Sequence, residues 1–476
     1  MNIRELLRGV VPLRIKGELP SDISSLSCDS RRTEKGSLFF CLGGIDLEGE
    51  AFLPEAAAHG AAAVVASHPL EFPLPQIIVS SPRAAYAAAW NNISRRPGER
   101  LRLLAVTGTN GKTSVTYLLR SIFRAAGISS SLIGTVGGDM TCPDPDVLYP
   151  LLSQLADSGR EAVVMEASSH ALALEKLHPL VFDVGVITNI TRDHGDFHPS
   201  AEAYVQAKAS LFDRCRVGLV GLDSATAAPL LDLLIPGRML GYSAAGASGA
   251  EFSARGIIRS EQGTEYELVY GEGIFRVHSP MPWRFTPENT LAAASAALAA
   301  GILPRDVRTG IESLTLIPGR LERITPRTCT PMGEIYVDYA HTPDALGKAI
   351  ASLRDLYSGR RITVLFGCGG ERDREKRPMM GAAAEQGADS VIITSDNCRS
   401  EEPMLIISEI LSGVLHPEKM TVISDRREAI IAALDRLEPD GVLLLAGKGH
   451  EEYIIDRDGR HRFSEREIVS DYAKGR

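Results

Sequence analysis

The run Leu103-Leu104-Ala105-Val106-Thr107-Gly108-Thr109-Asn110-Gly111-Lys112-Thr113-Ser114 constrains this chain more than any other feature, because it joins an apolar strand to a helix through a glycine-bearing turn. Val115, Leu118, Leu119, Ile122, Phe123 and Ala126 recur as one apolar helical face, and Gly127 is placed to end it. The turn therefore sits at a helix N-terminus, where unpaired backbone N–H groups and the positive end of the dipole favour phosphate. Lys112 adds a point charge there, and the Thr113 hydroxyl is suited to Mg²⁺. Val106 stands where the usual phosphate-loop pattern has glycine. The chain reads as a nucleotide user.

Strands and helices alternate on both sides of this loop, which predicts an α/β protein with mostly parallel sheets. Its 476 residues exceed one ordinary core and predict three domains, 1–98, 99–318 and 319–476. The first is a small α/β unit with apolar runs at 37–42 and 61–66 and a helical piece near 55–59, closed by the polar linker 94–100. The second is phosphate-loop NTPase-like, with strands at 162–165, 184–187 and 218–221, an antiparallel, turn-rich insertion at 251–277 and a helix over 291–300. Beyond the linker 317–320, strands at 362–366, 390–393 and 441–445 predict a Rossmann-like third unit.

A net charge of −9 argues against nucleic acid as the main partner. No apolar run reaches the roughly 18 residues of a membrane span, and the N-terminus lacks the continuous core of a secretion signal. Cysteines at 28, 41, 142, 215, 329, 368 and 398 form no CxxC pair and fit reduced thiols. These features predict a cytoplasmic protein without membrane insertion.

A phosphate loop also needs a metal shell, usually few protein ligands completed by water and phosphate oxygens. Glu166 follows an apolar strand at the sheet edge where ligands bind in open α/β sheets. Thr188-Asn189-Ile190-Thr191-Arg192-Asp193-His194-Gly195-Asp196-Phe197-His198 crowds acids, amides and histidines after another strand.

Together with Cys28-Asp29-Ser30-Arg31, Thr141-Cys142-Pro143-Asp144-Pro145, Met165-Glu166-Ala167-Ser168-Ser169-His170, Ala207-Lys208-Ala209 and Pro318-Gly319-Arg320, these segments closely resemble the Mur ligase family. Asp338-Tyr339-Ala340-His341-Thr342-Pro343-Asp344, Gly367-Cys368-Gly369-Gly370-Glu371-Arg372-Asp373, Asp396-Asn397-Cys398-Arg399 and Gly447-Lys448-Gly449-His450-Glu451 extend the resemblance over nearly the whole chain.

The resemblance implies an ATP-dependent amide ligation in peptidoglycan precursor synthesis. The carboxylate of UDP-N-acetylmuramoyl-L-alanyl-D-glutamate is phosphorylated, and an incoming amine displaces phosphate from the acyl phosphate. Because two anions must meet, catalysis should rest on neutralisation and alignment. By resemblance, Lys112, Lys208 and His194 are catalytic, and Gly108, Thr109, Asn110, Gly111, Lys112, Thr113, Ser114, Asn289, Arg320, Asp338 and His341 bind ATP. Thr113, Glu166, His194 and a carbamylated Lys208 (N6-carboxylysine) would serve Mg²⁺.

Cys28, Ser30 and the turn Ile45-Asp46-Leu47 would meet the uridine nucleotide, and Thr141, Cys142, Ser168, Leu174 and Lys176 the peptide-bearing sugar. Here the chain departs from the family, with Cys142 for threonine, Leu174 for glutamine and Lys176 for arginine. Trp283 and Thr286 likewise replace glycine and asparagine. Arg372, Asp396, Asn397, Cys398, Arg399, Gly447 and Glu451 would bind the amino acid. Members using meso-diaminopimelate carry Asp-Asn-Pro-Arg, and this chain keeps the arginine, whose fixed fork suits a distal carboxylate that lysine lacks. The resemblance thus implies meso-diaminopimelate as the amino acid. A monomer is expected, and because substrates bound on three domains must meet, domain rotation about the linkers near 97–100 and 317–320 is expected too. The alternatives are the same reaction with L-lysine or another diamino acid, a folylpolyglutamate synthetase-like ligase, and a noncatalytic nucleotide-binding scaffold.

Overall fold

The computed structural model describes residues 1–43, 49–136, 141–191, 193, 195, 197–224, 235, 237–271, 273–326 and 332–475. Two compact units divide the chain, one made of Met1–Ala105, Ile128–Gly185 and Ser210–Arg216, the other of Val106–Gly127, Val186–Ala209 and Val217–Arg476.

The N-terminal sheet runs Arg14–Lys16, Gln76–Ile78, Ala63–Ala66, Leu38–Phe40, Leu26–Ser27, parallel except for its first strand. Its three central strands are wholly buried, which explains the continuous apolar runs of Leu38–Phe40 and Ala63–Ala66. Alternate side chains serve opposite faces: Leu38, Phe40, Val65 and Ile77 enter one core, while Phe39, Val64 and Ile78 enter the other. The helix Pro82–Ile93, capped by the Ser81 hydroxyl on Ala84 N, lays Ala85, Tyr86 and Ala89 on the first of these cores.

A nine-stranded sheet runs Gly273–Ser279, Gly263–Tyr270, Ala250–Ser260, Met239–Ser243, Cys215–Gly221, Phe182–Ile187, Arg102–Thr107, Ala162–Glu166, Ser130–Ile133. The three strands from 250 to 279 pair antiparallel, as the alternating pattern predicts. Arg102–Thr107 is buried at five of its six residues and feeds the helix Lys112–Ala125. That helix buries Val115, Leu118, Leu119, Ile122 and Phe123, and Gly127 follows it at φ +74°, a backbone conformation glycine adopts without strain. The helix Thr286–Ala299 starts five residues before the expected one, and its small alanines bury from every side. In the helix Pro304–Glu312, a Cβ on Gly310 would stand 2.3 Å from Ile122 Cα, so glycine sets how closely this helix approaches Lys112–Ala125.

The C-terminal sheet runs Glu322–Arg323, Glu334–Asp338, Val442–Ala446, Ile362–Phe366, Ser390–Ile393, Met420–Val422, again parallel except for its first strand. Ile335, Val337, Leu365, Ile392, Leu443 and Leu445 form its core with Ala429, Ile430 and Ile468 from the covering helices. The turns 338–341, 367–375, 394–402 and 447–451 all leave the carboxyl ends of its parallel strands, the edge where such sheets bind ligands. No described helix is long and apolar enough to cross a membrane.

Candidate functional site

The phosphate loop is tightly braced. A Cβ on Gly108 would lie 1.9 Å from Thr188 Oγ1, and one on Gly111 would lie 2.6 Å from Asn289 Oδ1, so both glycines are required by close approach and by positive φ. Thr188 and Asn189 hold the loop from outside. Thr188 Oγ1 donates to Asn110 O at 2.6 Å, Asn110 N donates to Asn189 Oδ1 at 2.9 Å, and Thr109 N donates to Asn189 O at 2.8 Å. Thr109 Oγ1 pairs with the Tyr204 hydroxyl at 3.0 Å, and Asn110 Nδ2 donates to Asp344 Oδ2 at 2.9 Å.

Two lysines converge on one carbonyl. Lys112 Nζ donates to Gly108 O and Thr109 O, and Lys208 Nζ donates to the same Gly108 oxygen, each at 2.9 Å. Lys208 is 1% exposed and its Nζ lies 4.4 Å from the centre of the Tyr204 ring. Tyr204 precedes it by four residues in the helix Ala201–Ala209, so one helical turn stacks the ring on the amine. Burial, reinforced by the Lys112 charge and opposed by Asp193, holds the Lys208 amine well below the ordinary lysine range.

Further groups of the same unit surround the loop. Arg320 Nη2 donates to Thr113 Oγ1 at 2.8 Å while its guanidinium lies over the Tyr339 ring. Asp338 accepts from Leu321 N and Ala340 N, and burial raises its carboxyl against the pull of Arg320. His341 Nδ1 meets Tyr339 O at 2.9 Å, and Asp193 stands 3.9 Å from His341 Nε2 and 3.8 Å from Lys376 Nζ. Beside the start of the loop's helix, a shallow cleft is lined by Ser114, Met281, Trp283, Phe285, Asn289 and Arg320.

At the turn 394–402, Asp396 is buried against Lys448, 3.4 Å away, and Arg426; burial would raise its carboxyl, but these two cations hold it below the usual range. Asn397 Oδ1 accepts from Lys448 Nζ and from Ile455 N, both at 2.9 Å, and its amide donates to Glu451 at 3.0 Å. Arg399, at φ +52°, donates to Gly370 O at 2.6 Å and Asn397 O at 3.3 Å. Cys398 is buried, and burial raises its thiol. A Cβ on Gly447 would stand 2.7 Å from Asp396 Oδ2, while the Arg372 side chain passes beside Gly369.

In the other unit, Glu166 is fully buried, accepting from Thr135 N at 3.1 Å and Thr135 Oγ1 at 2.9 Å; Thr141 Oγ1 pairs with that same hydroxyl at 3.0 Å. Burial pushes the Cys142 thiol up to about 12, Ser168 caps the helix Ser169–Ala173, and Lys176 pairs with Asp144 at 2.6 Å. Leu174 ends that helix, the Ser30 hydroxyl is engaged by Glu55, and Cys28 is exposed. Ile45, Asp46, Leu47 and His194 lie outside the described residues. No group of three or more His, Cys, Asp or Glu suited to a metal occurs among the described residues.

Tyr204, Asn189, Lys376 and Lys448 received no role from the sequence. Tyr204 carried a legible signal, being one helical turn from Lys208; the other three are placed by tertiary packing.

The sequence matches the Mur ligase family, catalytic domain, over residues 22–105, the Mur ligase middle domain over 106–297, and the Mur ligase, glutamate ligase domain, over 319–449. A UDP-N-acetylmuramoyl-L-alanyl-D-glutamate–2,6-diaminopimelate ligase of Solibacter usitatus is 37% identical over 100% of this chain and 99% of its own. One from Clostridium acetobutylicum is 34% identical over 100% and 99%. A solved structure of a ligase of that name superposes with a TM-score of 0.67 at 31% identity over 100% of this chain and 99% of its own. A Mycobacterium tuberculosis folylpolyglutamate synthase complexed with ADP and AMPPCP shares the fold, with a TM-score of 0.63 at 17% identity over 76% of this chain and 91% of its own. On these grounds the chain belongs to the Mur ligase family.

Proposed function

We propose that this protein joins meso-diaminopimelate to UDP-N-acetylmuramoyl-L-alanyl-D-glutamate at the expense of ATP, through an acyl phosphate, in peptidoglycan precursor synthesis. The observation that carries this reading is the pairing of a braced phosphate loop with a turn that keeps Arg399, an arrangement suited to a triphosphate and to an amino acid with a distal carboxylate. The full-length likeness to ligases named for 2,6-diaminopimelate supports it.

In this reading the amides of 108–114 and the Lys112 ammonium grip phosphate oxygens. Lys112 would trade the carbonyls of Gly108 and Thr109 for stronger charge-assisted bonds. Asn289, Arg320, Asp338 and His341 would surround the nucleoside, and the cleft along Trp283, Phe285 and Asn289 offers it an apolar wall. Thr113 and Lys208, with the roles the resemblance gives Glu166 and His194, would hold Mg²⁺, which supplies charge neutralisation between the reacting anions. A neutral amine is the form that takes up CO₂, and the depressed basicity of Lys208 favours its carbamate, a carboxylate-like ligand. Cys28, Ser30 and the turn 45–47 would take the uridine nucleotide, and Thr141, Cys142, Ser168, Leu174 and Lys176 the peptide-bearing sugar. Asp396, Asn397, Arg399, Arg372, Gly447 and Glu451 would hold the amino acid, with Cys398 shaping the turn.

We also propose the division 1–98, 99–318 and 319–476, supported by the separate N-terminal and C-terminal sheets, and a cytoplasmic monomer.

The test is phosphate release with ATP and the UDP-linked dipeptide, across meso-diaminopimelate, L-lysine and glutamate. Release stimulated by meso-diaminopimelate is expected; stimulation by L-lysine alone would overturn the specificity, and no stimulation by any amino acid would overturn the ligase reading.

A further inference from the structure

Beneath the amino-acid loop lies a charged group that the reaction as described does not use. Arg377, near the start of the helix Lys376–Gly387, is fully buried. Its guanidinium grips Glu401 with both terminal nitrogens, at 2.9 Å each, and reaches Glu409 of the helix Pro403–Leu411 at 2.7 Å. Nη2 also donates to Gly369 O at 3.1 Å. One side chain thus ties together the two loops that leave neighbouring strands Ile362–Phe366 and Ser390–Ile393.

Those loops are strapped to each other immediately above it. Gly370 N donates to Asn397 O at 2.9 Å, so closely that a Cβ on Gly370 would lie 1.9 Å from Cys398 O. Glu371 N donates to the Glu401 carboxylate, the Ser400 hydroxyl donates to the Glu371 carboxylate, and Arg399 Nη1 donates to Gly370 O. Both Glu371 and Arg399 sit at φ +52°, a left-handed conformation that non-glycine residues keep only where their surroundings impose it.

A buried guanidinium is expensive unless fully paired, and replacing such a pair by apolar side chains often stabilises a protein. Its presence here, joined to Gly369 O on one loop and Glu401 on the other, is best accounted for by the need to fix where the Arg399 fork points. We infer that Arg377 and Glu401 form a clamp of positioning residues that sets the amino-acid site by locking the 369–372 turn to the 397–401 turn. The inference rests on the proposed amino-acid ligation, but not on which amino acid is used.

The test compares wild type with Glu401→Gln, which keeps the shape of a residue that is partly solvent-facing, and with Arg377→Lys, using the full-length chain. Steady-state phosphate release gives KM for the amino acid that stimulates the wild type, KM for ATP, and kcat; thermal unfolding is followed in parallel. For Glu401→Gln the amino-acid KM should rise about tenfold or more while the ATP KM stays within about twofold, because one charge-assisted contact behind the loop is lost. Glu401→Asp, which keeps the charge, should recover part of that loss. An amino-acid KM unchanged in folded Glu401→Gln overturns the clamp, as does a parallel rise in both KM values. If Arg377→Lys does not fold, the Glu401 pair of variants decides alone. A wild type that no amino acid stimulates would overturn the parent ligase reading and the clamp with it, whereas an unmoved amino-acid KM beside an active wild type overturns the clamp only.

Discussion

Replacing Arg399 by alanine should separate its proposed role in substrate recognition from its contribution to folding. In the protein alone, the guanidinium donates to two backbone carbonyls, Gly370 O and Asn397 O. Each such bond contributes roughly 1 kcal/mol net, so Arg399→Ala should lower stability by about 2 kcal/mol at most and Tm by a few degrees. The backbone at φ +52° is no easier for alanine than for arginine. If Arg399 receives the distal carboxylate as proposed, the loss toward substrate is larger, because that carboxylate would be left desolvated without its partner. Such truncations cost about 2–5 kcal/mol, which corresponds to a fall in kcat/KM for meso-diaminopimelate of roughly 30-fold to several thousandfold. Phosphate release titrated separately in meso-diaminopimelate and in ATP reads the two effects. Arg399→Gly is an informative companion, since it deletes the same guanidinium while relieving the left-handed backbone. It should be as inactive as Arg399→Ala but more stable. Unchanged kinetics with meso-diaminopimelate, or an ATP KM that rises in step, would refute the assignment.

Other outcomes follow from the same geometry. If Lys208 works as a carbamate, enzyme stripped of CO₂ should lose activity and regain it with bicarbonate; activity indifferent to bicarbonate, with no added mass on Lys208, would refute this. Gly310→Ala gains about 1 kcal/mol of helix propensity, but its Cβ would meet the Ile122 backbone at 2.3 Å. Overpacking of about 1–3 kcal/mol should win, and a Tm at or above wild type would show that the helices separate without penalty. The Arg377 guanidinium bonded to Glu401 holds that carboxyl down to about 2, against 4.5 ordinarily. Its stabilisation is therefore complete above pH 4.5 and lost as pH falls toward 2, amounting to about 1–2 kcal/mol once solvent screening is allowed for. Glu401→Gln should be less stable at neutral pH and show a shallower decline in acid; a parallel acid profile would contradict the pairing.

The phosphate loop was fully legible because its signals are local. An apolar run, two glycines and a 3.6-residue apolar face lie within 25 residues of one another, and the strand Arg102–Thr107 and helix Lys112–Ala125 follow them closely. The antiparallel strands from 250 to 279 were visible in the same way, through alternation. The helix Pro82–Ile93 escaped notice because buried alanines on several sides leave no contrast between faces, although Ser81 and Pro82 marked its start. The helix Pro145–Asp157 continues through Pro150, its sixth residue, an interior position at which sequence alone would place a break. At the site, motif residues could be named one by one, yet the shared Gly108 carbonyl and the Asp193 contacts to His341 and Lys376 join residues far apart in sequence. Arg377 lies in a basic stretch, Arg372 to Arg377, that reads as solvated surface, and only tertiary structure shows it to be the buried member.

Cys398 gives the turn 394–402, the proposed amino-acid loop, an intrinsic stopwatch. The thiolate is the reactive form of cysteine, and here the sulfur is both sheltered and harder to ionise than a free thiol. An alkylating reagent will therefore reach it mainly during moments when the turn lifts, and the labelling rate counts those moments without any engineered probe. Saturating amino acid should slow the clock.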